Sequence, residues 1–180
     1  GNRIYFQSDH AIFYLEKERL HQTACRDIIY SALVDKRLYV AGNGLSVLNG
    51  DTLLQLPNST SYINNMSKRI VGIFPYQNKL LLVSNQHGLF LYENGTFVPF
   101  RSTADEFLKK NRLRCATMKG SILALGTVQN GLLLLDLDTG STEHISPHNG
   151  LQNKAILSLF FDREENLWLG LDNGIDCVHL

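Results

Sequence analysis

The sequence predicts an all-β fold assembled from repeated four-stranded antiparallel sheets. Three observations carry this. First, segments 38–48, 80–92, 123–135 and 167–178 align on one glycine, at Gly44, Gly88, Gly131 and Gly174, so the intervals are 44, 43 and 43 residues. A period of that length is the mark of a repeat architecture. Second, each period holds four short apolar runs separated by turns rich in Gly, Asn and Asp, which is strand and hairpin grammar. Third, runs such as Leu80–Val83 and Leu132–Leu135 are apolar at every position. Strands that read that way are covered on both faces. Together these describe blades of a β-propeller, each face packed on a neighbour.

The elements follow in order. Ile4–Leu20 reads as a partial repeat of about three strands, with Ala11 where the anchor glycine would stand. Full repeats span 28–56, 70–100 and 113–145, and a partial one spans 156–180. The first run of each ends in a turn at Asp35–Arg37, Gln77–Lys79, Lys119–Ser121 or Asp162–Asn166. The third ends at Asn49–Asp51, Glu93–Gly95 or Asp138–Gly140. Tight turns need φ > 0, which glycine adopts without a Cβ penalty. Ser102–Lys110 is expected to form a one- or two-turn helix between blades, with Thr103 as N-cap and Glu106 closing a capping box. The count is about eighteen strands, not a multiple of four. The expected architecture is therefore one propeller segment over 1–180, of about four to five blades, belonging to a larger propeller or pairing with another copy. Open sheet faces at either end are an association hazard.

Composition removes several function classes. The chain has 180 residues, with 17 basic and 17 acidic side chains. That balance argues against direct nucleic-acid binding, which needs a basic excess. No run approaches the length of a bilayer span, so this segment is expected not to insert into a membrane. The cysteines Cys25, Cys115 and Cys177 lack metal-ligand spacing and are expected to be buried thiols. His144 and His148 stand four apart, but Pro147 and Gly150 make that stretch a loop, and no other metal pattern occurs. No metal or cofactor is expected. No nucleophile elbow or phosphate loop is present, and Asp136 and Asp138 read as turn residues, so no catalytic residue is assigned. Trp168, the single tryptophan, is expected to pack between blades.

The last repeat carries a resemblance. His148–Asp176 resembles the two-component regulator propeller repeat. Gly150, Leu151 and Asn153 match its loop, and Ile156, Ser158 and Leu159 its first strand. Asp162 matches the turn aspartate, Leu167, Trp168 and Gly170 the second strand, and Gly174 and Ile175 the start of the third. Asn166 replaces the usual turn glycine and Leu171 the usual threonine. The earlier repeats keep the glycine and the strands but lack the Trp. The resemblance implies the periplasmic sensor region of a hybrid two-component sensor, or of a related membrane-anchored transcription regulator, in Gram-negative bacteria. It also implies an oligosaccharide as ligand. The strand count makes neighbouring blades or a second copy of the chain the expected partners, and the lack of any catalytic pattern makes the segment non-enzymatic. The alternative function is a protein-interaction or dimerisation scaffold without a small ligand.

Propeller topology says where a ligand would sit. Turns between second and third strands share a face with the connections from each fourth strand to the next blade. The turns supply Asn43, His87, Asn130, Asp172 and Asn173; the connections supply Tyr62, Arg101, Arg112 and His148. Amide, imidazole, guanidinium and aromatic groups suit sugar hydroxyls, because directed donors and acceptors confer specificity. The same Asn and Asp residues also serve the turns themselves.

Overall fold

In a computed structural model, which describes residues 3–25, 27–60 and 69–180, the chain forms five antiparallel sheets. Strands β1 (Ile4–Gln7), β2 (Ala11–Glu16) and β3 (Arg19–Ala24) make the first. The second holds β4 (Tyr30–Val34), β5 (Arg37–Gly42), β6 (Gly44–Asn49) and β7 (Thr52–Gln55). The third holds β8 (Ile70–Tyr76), β9 (Lys79–Ser84), β10 (Leu89–Glu93) and β11 (Thr96–Phe100). The fourth holds β12 (Leu113–Lys119), β13 (Ile122–Thr127), β14 (Leu132–Asp136) and β15 (Thr142–Ile145). The fifth holds β16 (Ile156–Phe161), β17 (Leu167–Leu171) and β18 (Gly174–Val178). Every sheet is a meander in chain order, so these are propeller blades. The described strands number eighteen. Among the described residues, registers make β1, β2 and β3 the counterparts of β13, β14 and β15, and β16, β17 and β18 those of β12, β13 and β14. Pro75 and Pro99 lie on β8 and β11, the edges of the third sheet, where a missing N–H breaks no ladder.

The chain divides into two compact units, 1–82 with 91–98, and 83–90 with 99–180. In the first unit, Ile12, Ile28, Leu38 and Val40 form a buried cluster that joins the first two sheets. Beside it, the buried Tyr14 donates its hydroxyl to Asp51 and stacks on His21 at 4.6 Å. Thr23 Oγ1 donates to the Asp51 carbonyl at 2.9 Å. The hairpins at Lys17–Glu18, Asp35–Lys36, Gln77–Asn78 and Asn94–Gly95 have φ > 0 at both central residues. That is the turn whose twist matches the flanking strands, and three of the four adopt it without glycine.

In the second unit, the fifth sheet packs on the fourth. Ala124, Leu132 and Leu134 meet Ile156, Leu167, Leu169 and Leu171 in one cluster. A Cβ on Gly126 would lie 2.8 Å from Ile156 Cγ2, so glycine there sets how closely the two sheets approach. Strands β13 and β14 are buried at nearly every position, as their unbroken apolar runs predict. The first strand of each sheet carries a bulge at an equivalent place, between Leu113 and Cys115 and between Ile156 and Ser158. The four anchor glycines all have positive φ, from +68° at Gly131 to +127° at Gly44.

Three expectations are corrected. Trp168 is 42% exposed rather than sandwiched between blades. Its indole N–H donates to Asp162 Oδ2 at 2.8 Å, on the face of β17 opposite the one packed on the fourth sheet. The helix, α1, is Asp105–Lys110, and its N-cap is Ala104 without a side-chain cap. Asp105 Oδ1 instead accepts from the Ser102 N–H at 3.1 Å, one residue upstream of the expected box, while Thr103 Oγ1 donates to Gly140 O at 2.6 Å. The three thiols are half-buried rather than buried, and none is in a disulfide. Burial pushes the Cys115 thiol up to about 12.

Candidate functional site

The site is built on the turn between β9 and β10. Ser84 N–H donates to the Gly88 carbonyl at 3.0 Å, and Ser84 Oγ accepts from the His87 N–H at 3.2 Å. These bonds, with positive φ at Gly88, close the loop and leave the Gln86 and His87 side chains exposed. The next repeat copies the device. Thr127 N–H donates to the Gly131 carbonyl at 3.0 Å, and Thr127 Oγ1 accepts from the Asn130 N–H at 2.7 Å. A Ser or Thr four residues before the anchor glycine was the available sequence signal for this turn, and motif reading passed over it.

Helix α1 forms the facing wall. Its acidic first turn and basic last turn suit the helix dipole, and the buried Leu108 anchors it. Arg101, at the end of β11, is held by Asp105 Oδ2 at 3.4 Å. Lys109 Nζ donates to Glu106 Oε1 at 2.8 Å. Between turn and helix lies a cavity of about 230 Å³. Leu89, Phe100 and Leu108 give it an apolar side, and Gln86, His87, Arg101, Asp105 and Lys109 its polar one. An amide, an imidazole, a guanidinium, an ammonium and a carboxylate thus line it beside the apolar floor, the guanidinium paired with Asp105 and the ammonium with Glu106. That arrangement can hydrogen-bond a hydroxylated or weakly acidic ligand and pack against its nonpolar face.

Of the predicted residues, the structure brings His87 and Arg101 together here. The others stand elsewhere. Asn130 donates through Nδ2 to Asn111 Oδ1 at 3.1 Å, and its carbonyl is 2.7 Å from His144 Nε2. It ties α1, the β13–β14 turn and β15 together, and Phe107 meets His144 edge-on at 5.1 Å. Arg112 is exposed, and its carbonyl accepts from Val128 N–H at 3.0 Å. His148 is exposed in the β15–β16 connection, and its N–H donates to Ser146 Oγ at 3.3 Å. Asp172 and Asn173 are exposed in the β17–β18 turn. Asn43 is exposed in the first unit, its carbonyl accepting from Gln55 Nε2 at 3.4 Å. Tyr62 lies outside the described residues. Within the second unit, turns do meet connections. Leu113 N–H donates to Asn85 O at 2.8 Å, and Gly131 N–H to Lys154 O at 2.8 Å.

Asp162 is the most strongly held carboxylate. It accepts from the Trp168 indole, from the Asn166 side chain and backbone, and from the Glu164 N–H. The indole bond first, then the Asn166 amide, bring its pKa down to about 2. Asp136 Oδ1 accepts from the Asp138 and Thr139 N–H groups, the turn role its sequence predicts. Among the described residues no group of three His, Cys, Asp or Glu side chains is placed to hold a metal. No helix among them is long and apolar enough to cross a membrane.

No family model matches the chain, and no curated protein matches it in sequence. Solved structures do. Over 98% of its length the chain is similar to the extracellular domain of BT3049 of B. thetaiotaomicron, named as a hybrid two-component system, with a TM-score of 0.68 at 19% identity. Over 99% it is similar to the extracellular domain of BT4673 of the same organism, named as a one-component system, with a TM-score of 0.59 at 22% identity. It spans 25% and 31% of those chains. The computationally designed Ika4 protein matches 89% of the chain with a TM-score of 0.57 at 14% identity. At these identities the likeness is one of fold.

Proposed function

We propose that the chain is part of the extracytoplasmic, periplasmic sensor region of a bacterial two-component signalling protein of the hybrid histidine kinase type. The groove of Gln86, His87, Arg101 and Lys109 is its ligand site, and an oligosaccharide is the ligand class. The observation that supports the sensor reading is the similarity, along nearly the whole chain, to extracellular domains of two signalling proteins. The groove's donors beside an apolar floor support a sugar ligand. On this reading the segment binds its ligand and catalyses no reaction. A ligand transmits a signal only if it prefers one arrangement of the sensor region over another.

Titration calorimetry of the chain against neutral and acidic oligosaccharides tests the site. Saturable binding is expected, weakened about tenfold by Arg101→Ala or His87→Ala. Absence of heat across the panel, or binding indifferent to both substitutions, overturns it. A second reading, a docking or dimerisation scaffold of a membrane-anchored transcription regulator, draws on the exposed apolar side chains of the first and fifth sheets. Association of the protein without any saturable small ligand would favour it.

A further inference from the structure

Three boundaries between neighbouring sheets are built from equivalent positions, and one of them is open. Between the fourth and fifth sheets, Ile122, Ala124, Leu134, Leu167 and Val178 belong to one apolar cluster. Strand pairing gives their equivalents in the first unit. Tyr39 pairs with Val47 as Ala124 pairs with Leu134, and two residues earlier Arg37 stands for Ile122. In the third sheet, the Ser84 N–H donates to Gly88 O as the Thr127 N–H donates to Gly131 O, so Leu80 and Tyr92 take the places of Leu123 and Leu135. Leu167 and Val178 hold those places in the fifth sheet. Arg37, Tyr39, Val47, Leu80 and Tyr92 thus stand where the other boundary has a closed apolar set. Here they line a cavity of about 590 Å³ between the second and third sheets, within the first unit.

Three differences keep this boundary from closing. Between the fourth and fifth sheets, Lys119 bridges the mouth, donating to Asp162 O at 3.0 Å and lying 3.5 Å from Glu165 Oε1. Its equivalent is Val34, which pairs with Arg37 as Lys119 pairs with Ile122 and is too short to reach across. Between the first and second sheets, Tyr14 takes the place of Val47 and donates its hydroxyl to Asp51. The equivalent of Asp51 in the third sheet is Gly95, whose carbonyl accepts from Asn58 Nδ2 as the Asp51 carbonyl accepts from Thr23 Oγ1. Val47 and Gly95 leave empty what Tyr14 and Asp51 fill.

The cavity has an apolar interior and a charged mouth. Tyr92 is buried, and its hydroxyl donates to Pro57 O at 3.2 Å, which fixes the ring. Burial first, then Tyr39, holds the Tyr92 phenol above its ordinary pKa, so the two phenols border one space. At the mouth, Lys79 Nζ is committed to Glu93 Oε2 at 2.9 Å. Arg37 is exposed and pairs with no acid among the described residues. Asp35 and Glu93 line the same mouth and oppose a multiply charged anion. A single carboxylate meets a guanidinium able to donate two parallel N–H bonds. A planar apolar body suits two tyrosine rings. We infer that this cavity binds a small aromatic monocarboxylate, its carboxylate on Arg37 and its ring against Tyr39 and Tyr92. The cavity shares no lining residue with the groove of Gln86, His87, Arg101 and Lys109, and the inference stands independently of the sensing reading.

Ligand-observed NMR titration of the 180-residue chain with trans-cinnamate tests this, with cinnamamide as the uncharged isostere and citrate as the polyanion. Cinnamate is expected to bind saturably, cinnamamide about tenfold more weakly, and citrate is expected not to displace cinnamate. Arg37→Gln should equalise acid and amide. Arg37→Ile with Tyr39→Ala restores the fourth sheet's side chains and should abolish binding of both. Absence of saturable cinnamate binding overturns the inference. So does equal affinity of the unaltered chain for acid and amide, displacement by citrate, or an acid preference that survives Arg37→Gln. Circular dichroism checks that each variant keeps its β signal; where the double variant does not, the acid-to-amide ratio of Arg37→Gln, a change at an exposed position, decides.

Discussion

Replacing Gly131 and Gly88 by alanine separates two costs that the repeat normally hides together. Both glycines have positive φ, +68° and +85°. An L-residue there costs about 1–2 kcal/mol. The surroundings differ. A Cβ on Gly88 meets nothing within 4 Å, whereas one on Gly131 would overlap the Ile145 carbonyl oxygen. The backbone at Gly131 cannot easily swing away. Its N–H is held by Lys154 O at 2.8 Å, and its carbonyl by the Thr127 N–H and hydroxyl at 3.0 and 2.8 Å. Forced overpacking of that kind adds about 1–3 kcal/mol. Gly88→Ala is therefore expected to cost about 1–2 kcal/mol, and Gly131→Ala about 2–5 kcal/mol. At about 2–4 °C per kcal/mol for a chain of this size, Gly131→Ala lowers Tm by roughly 10 °C and Gly88→Ala by less than half that. Urea unfolding followed by circular dichroism reads both. Equal losses would refute the steric argument at Ile145, and a neutral Gly88→Ala would refute the conformational one.

Other consequences are as direct. Ile156 is fully buried between the fourth and fifth sheets, so Ile156→Ala should cost about 2–5 kcal/mol in the same urea assay. Lys17 and Glu18 occupy a turn with φ of 47° and 63°, so Lys17→Asn with Glu18→Gly should raise stability by about 1 kcal/mol, seen as a higher Tm. The Asp162 carboxylate, held at about 2 by Trp168 and Asn166, has a folded pKa below its unfolded value near 3.9. Its stabilising contribution is therefore complete above about pH 4 and is lost as pH falls toward 2. Trp168 is the only tryptophan, so its emission should change with a midpoint near pH 2, and Asp162→Asn should remove that step; a midpoint near 4 would contradict the bonded geometry.

The blade repeat was legible in the sequence because its causes are local. A glycine every 43 or 44 residues marks a backbone at positive φ, and unbroken apolar runs such as Leu132–Leu135 mark strands covered on both faces. Hairpins, strand order and the three-strand terminal sheets follow from those signals. Where function was concerned, reading the sequence treated the residues of the turns and connections as one set. Asn130 turned out to be committed to Asn111 and His144, while His87 and Arg101 share a groove with Lys109.

What only the tertiary structure decided is which side chain faces a neighbour and which faces water. Trp168 and Leu169 are adjacent in a run that reads as uniformly apolar, and their environments are opposite, one 42% exposed and the other fully buried. Strand periodicity assigns them to different faces of the sheet, but whether a face is covered depends on the sheet stacked against it, many residues away in the chain. The position of α1 beside the β9–β10 turn is of the same kind. It rests on Leu108 burying itself and on Asp105 bonding Ser102 and Arg101, contacts whose existence no spacing in the sequence specifies.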